Sequence, residues 1–167
     1  MSSKRRSKGR GTYESGRPPV LTLKERFTGK VKFIVMTRLS ISAVNSVVRA
    51  NVDGRIEVYT DEYGIYNGLS ELDFVIRHER VNHSDGEFAR DDVSINGCEA
   101  VHSWLRAFLR IHRGVNRYNL QLYVSFFAFY HNYGNRWLIM LIRSCLNWRK
   151  EEARRHREEI KPKKASI

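Results

Sequence analysis

Apolar and polar positions alternate over Val20 to Phe27 and again over Val31 to Thr37, which predicts two strands joined by a hairpin turn at Thr28-Gly29-Lys30. Ser40 stands where a helix cap belongs, ahead of Ile41, Val44 and Val48, whose spacing shares one helical face and predicts a helix ending near Asn51. Asp53-Gly54 reads as a turn, and Arg55 to Thr60 as a β-branched and aromatic strand that ends at Asp61. A short helix is expected over Tyr63 to Leu72, a short strand over Phe74 to Ile76 and a polar loop over His78 to Val93. From Ile95 to Arg113, Cys98, Val101, Trp104, Leu105, Phe108 and Ile111 fall on one side of a 3.6-residue period, with Gly114 as the expected C′ stop. Leu120 to Tyr130 is apolar nearly all round and is expected to be buried. A last helix from Trp137 to about Glu159 begins apolar and ends charged, and the tail beyond Lys161 is expected to be disordered. Strands first and helices later point to an α/β or α+β layered fold.

Composition narrows this picture. A chain of 167 residues fits one domain, and 41% hydrophobic residues exceed what a disordered chain carries. Two cysteines, Cys98 and Cys145, are too few for a disulfide scaffold or an all-protein zinc site. The first 19 residues are basic and polar without the apolar core of a secretory signal, and Leu120 to Tyr130 is too short to span a bilayer. The reading is of an intracellular protein with reduced cysteines and no membrane partner. Residues 1–19 form a basic flexible arm, 20–142 the folded domain and 143–167 a charged helical tail.

Charge changes the picture further. Thirty Lys and Arg outweigh 18 Asp and Glu for a formal +12, yet residues 52–99 hold twelve acids against four bases. That block is net −8, so the rest of the chain carries +20, and Val101 to Ile142 contains five arginines and no acid. Such a surface attracts polyanions, of which nucleic acid is the usual one in a cell; it is equally what a solvated basic surface looks like. Asp61 ends a strand, where open α/β sheets place functional groups. On the helix that follows, Ser103, Arg106, Arg110 and Arg113 project within about 40° of Glu99, with Asn96 one turn earlier. Carboxylates from separate elements that hold two Mg2+ ions, with arginines gripping neighbouring phosphates, suit phosphoryl transfer. The plainer alternative makes Glu99 an acid favoured by the helix dipole and the arginines a solvated face. His78 and His83 could be zinc ligands or ordinary loop histidines, Cys98 sits on the apolar face, and Tyr123, Phe126, Phe127, Phe129 and Tyr130 read as packing rather than a base-stacking platform.

Together these segments resemble the DDE-type insertion-sequence transposases, specifically the ISXO-like transposase domain. The resemblance runs through Lys4 to Thr12, Tyr59-Thr60-Asp61-Glu62-Tyr63, Tyr66-Asn67-Gly68-Leu69, Val81-Asn82-His83-Ser84 and Gly86-Glu87-Phe88. It continues through Asn96-Gly97-Cys98-Glu99, Ser103-Trp104-Leu105-Arg106, His112-Arg113-Gly114-Val115 and Asn119-Leu120 to Phe129. It implies an α/β fold of the ribonuclease-H-like type over 20–142, a mixed sheet flanked by helices, and cutting and joining of DNA ends with Mg2+ or Mn2+. Asp61 matches the family's second catalytic Asp and Glu99 its third acid, with Asn96 a variant ligand. Arg106 falls where relatives carry a Lys that contacts the transposon end, and Arg110 and Arg113 extend that DNA-binding face. The implied partners are transposon ends and target DNA, with a homo-oligomer expected. The family's first Asp lies on a central strand just before the basic loop at which this chain starts. The expectation is therefore a chain without its first central strand and first ligand, a truncated and inactive copy. A non-catalytic basic nucleic-acid-binding protein is the alternative.

Overall fold

A computed structural model describes residues 12–14, 16–81 and 96–160. The chain has two compact units, Met1–Ala128 and Phe129–Ile167. In the first, strands β1 (Val20–Lys24) and β2 (Val31–Val35) form an antiparallel hairpin, with Thr22 opposite Phe33. The Glu25 carboxylate accepts the Phe27 and Thr28 N–H groups at 2.7 and 2.6 Å, and Gly29 takes the left-handed φ of 70° that closes the turn.

Alternation in this hairpin feeds two cores. Val31 and Phe33 face helices α2 (Asn96–Ile111) and α3 (Leu120–Tyr133), joining Val101, Leu105, Leu120, Val124, Phe127 and Ala128. Phe127 is the hub there, with ring centroids 5.7 Å from Phe33 and 5.3 Å from Phe108. Leu21 and Met36 face the other way, into a cluster with Val44 and Val48 of α1 (Ile41–Asn51) and with Leu69 and Leu72. Two side-chain bridges tie the hairpin to the helices behind it. Thr22 Oγ1 and His102 Nε2 share a 2.6 Å hydrogen bond. Gln121 of α3 accepts the Val35 N–H (2.8 Å) and donates to the Phe33 carbonyl (3.0 Å).

A second, separate sheet pairs β3 (Ile56–Asp61) with β4 (Val75–Val81) in parallel. A 3-10 helix, Gly64–Glu71, crosses over between them. It lies so close to α1 that a Cβ on Gly68 would run into the Ile41 side chain and the Asn45 amide, which donates to the Gly68 carbonyl at 3.2 Å. Buried Thr60 joins the two strands through Oγ1, 2.9 Å from His78 Nε2. The architecture is mixed α/β, with two small sheets flanked by helices in place of the one mixed sheet expected.

Several expected elements shift. The Ser40 cap forms as read, its Oγ accepting the Ala43 N–H at 3.2 Å, and α1 runs to Asn51. The strand expected over Phe74 to Ile76 is longer, because pairing with β3 carries it through His78 to Val81 into the supposed loop. Residues 82–95, with His83 and the Gly86-Glu87-Phe88 motif, lie outside the described residues, as do 1–11 and the tail beyond 160. The left-handed turn after α2 begins at Arg113, with φ 51°, one residue before Gly114 (φ 112°). Trp104 and Ile111 are exposed, and α3 is buried on one side only: Val124 is fully enclosed while Leu122 and Phe126 face water. One hairpin can cover only one side of a helix.

In the second unit, the end of α3 leads through a short 3-10 turn, Gly134–Arg136, into α4 (Trp137–Ile160). No described helix is long and apolar enough to cross a membrane.

Substituting Gly68→Ala should cost about 1–3 kcal/mol in urea unfolding, since the added methyl must displace Ile41 or Asn45. An unchanged midpoint would mean that α1 and the 3-10 helix are not in this close contact. Burial lowers the pKa of His102 and of His78, with Arg106 and Arg80 adding to it. A histidine depressed in the folded state takes up its proton more readily when unfolded, so stability should hold above about pH 6.5 and fall as the pH drops below that value. In His102→Gln the acid-side decline should be shallower; an equally steep decline would remove His102 as a cause.

Candidate functional site

The acid expected at a strand end is there. Asp61 closes β3 half-buried, and its Oδ1 accepts the Tyr63 N–H at 3.0 Å, an Asx-type turn that steers the chain into the crossover. Its carboxylate is thereby held by backbone, leaving the second oxygen as a potential ligand. Glu99 occupies the first turn of α2 and is exposed. α2 opens at Asn96.

The electrostatics of His102 show how the α2 face is laid out. Its proton affinity is raised by Glu99 and lowered by Arg106, which puts both charges around the same imidazole. Arg106 and Arg110 are exposed on the helix beyond it. Arg113 is also exposed, but it lies past Ile111 in a left-handed conformation, so the 100° arithmetic that aligned it with Glu99 does not apply. The basic face therefore runs along α2 through Arg106 and Arg110, and Arg113 leaves it at the turn.

Sequence reasoning missed one neighbour. The Lys24 side chain, at the end of β1, lies over Gly97 in the space a Cβ would fill, and its charge acts on Cys98. The first turn of α2 thus carries a cation from β1 beside Glu99's turn. No strand pattern signals this, because the partner is 73 positions away along the chain. Burial pushes the Cys98 thiol up, which leaves it protonated at neutral pH and unsuited to act as a nucleophile. His78, weighed as a zinc ligand, is instead bound to Thr60 across the β3–β4 pair. Arg26 reaches from the hairpin turn to the Tyr59 ring, 4.5 Å from its centroid, and so brings the hairpin beside β3.

Among the described residues no three of His, Cys, Asp and Glu gather into a group that could hold a metal ion. Mg2+ keeps its waters tenaciously and needs several well-placed carboxylates. Asp61 and Glu99 alone do not fit a complete site.

Comparison with known proteins places the chain. A family model described as the ISXO2-like transposase domain matches residues 1–132. An uncharacterised protein in transposable element ISH50 of Halobacterium salinarum is 36% identical over 121 residues, which cover 72% of this chain and 41% of that protein. The chain thus spans well under half the length of this relative. No solved structure gives a significant match. The matched region takes in β1 to α3 with every candidate residue from Asp61 to Arg113, and on that extent the chain belongs to the family of ISXO2-like transposase domains.

Proposed function

We propose that this chain holds DNA as part of a DDE-type transposase. The observation that carries this reading is the exposed arginine face of α2, Arg106 and Arg110, leading away from Glu99, with exposed Arg113 on the turn that follows. A guanidinium pairs with a phosphate through two parallel N–H donors, so arginines along a helix suit neighbouring backbone phosphates. Around them the chain is net positive outside residues 52–99, which favours rapid, non-specific association with duplex. In a complete transposase of this type, Asp61 and Glu99, with Asn96 as the variant ligand, would serve Mg2+ or Mn2+ in cutting and joining DNA ends. Among the described residues no third acid gathers with these two into a metal-holding group.

The division into two small sheets supports the same reading. Among the described residues β1 pairs with β2 and β3 with β4, while Arg26 and Tyr59 bring the two pairs side by side. A strand between β1 and β3 would join the two pairs into the mixed sheet of a ribonuclease-H-like fold. The reading also makes the protein intracellular and DNA-associated, with transposon ends and target DNA as partners and a homo-oligomer as the working form.

Binding to duplex DNA should weaken steeply with salt, and replacing Arg106, Arg110 and Arg113 together by Gln should reduce the slope of log affinity against log salt by about 2–3. Fluorescence anisotropy with a labelled duplex measures both. An affinity flat in salt, or a triple variant with the wild-type slope, would overturn the proposal. Asp61→Asn and Glu99→Gln should leave duplex affinity unchanged or slightly tighter, because each removes a negative charge. A large loss of binding in either would tie these acids to DNA holding rather than to metal chemistry.

A further inference from the structure

Helix α4 lies beyond the residues matched by the family model, and its sequence is divided. From Trp137 to Trp148 it carries a single charge, Arg143; from Arg149 onward charged residues dominate. Leu138, Ile139, Leu141, Ile142, Leu146 and Trp148 each leave between 36% and 56% of their surface in water. A groove of about 480 Å³ runs along this side, lined by Leu141, Ile142, Cys145, Leu146, Trp148 and Arg149. Leu138, Leu141, Cys145 and Trp148 recur at intervals of three and four, the seam by which one helix packs on another.

We propose that the apolar half of α4 binds the same half of α4 in a second copy of this chain, the two helices running antiparallel. Area argues for a copy of itself. At about 100 Å² for each of the six side chains, a helix offers roughly 600 Å², and a pair buries about 1,200 Å², the lower bound for a stable specific interface. Charge fixes the direction. The spacing of the seam continues past Trp148 at Glu152 and Arg155. In a parallel pair the next seam positions would each face their own copy, Glu152 against Glu152 and Arg155 against Arg155, an arrangement of like charges that opposes association. An antiparallel pair lays apolar half on apolar half and leaves both charged halves overhanging in water.

Sedimentation velocity on the whole chain should give a dimer at tens of micromolar, and a flexible thiol–thiol cross-linker should join the copies through the exposed Cys145. Leu141→Asp with Ile142→Asp should yield monomers with an unchanged circular dichroism spectrum; both positions are solvent-facing, so the fold has little to lose. The cross-link on the unaltered chain tests the contact even where the variant misfolds. In a Cys145→Ser background, Arg149→Cys should form no direct disulfide between copies, because antiparallel helices centred near residue 143 separate the two thiols by about 18 Å along the axis. A chain monomeric at every concentration, a dimer that persists in the double variant, or a direct disulfide through position 149 would each overturn the proposal. Duplex binding that survives in the monomeric variant would leave the α2 reading standing by itself.

Discussion

A two-stranded hairpin exposes both of its faces, and in water such a pair is marginal unless each face is covered. Here the requirement is met from opposite directions: Phe33 and Val31 sink among the α2 and α3 side chains, while Leu21 and Met36 sink among α1 and the crossover. The two clusters share no residue, yet they stand on the same hairpin. Loss of the hairpin would leave α2 and its arginines without a platform and would expose the apolar side of α1 as well. His102 illustrates the dependence, since the imidazole that sits between Glu99 and Arg106 is anchored through Thr22 of β1.

What could be read beforehand follows from how local the cause is. Ser40 with Ile41, Val44 and Val48 gives α1 to the residue, because a cap and a helical stripe are decided within a few positions. The end of β3 at Asp61 is legible for the same reason. β4 is not: His78, Glu79 and Arg80 have no strand pattern, and only their parallel pairing with Val58, Tyr59 and Thr60 makes them extended. The solvent-facing side of α3 escapes notice in a similar way, since Leu122 and Phe126 are as apolar as Val124 and differ only in what lies opposite.

At the candidate site, residue types were legible and the arrangement was not. Asp61 and Glu99 stand on the elements foreseen, and Arg106 and Arg110 share the helix with the acid. Arg113 departs because a helix end is set by backbone geometry that angular arithmetic ignores. Lys24 was invisible because a strand residue and a helix residue meet only after the chain has folded.

The amide of Gln121 closes part of the outer rim of β2. By taking the Val35 N–H and offering its own N–H to the Phe33 carbonyl, it imitates the two contacts that a neighbouring strand would make. Those outward groups are the ones through which stray chains stack into aggregates. With those two groups taken, the outer flank of β2 is closed at Phe33 and Val35, and this hairpin pairs more readily with a further strand along β1.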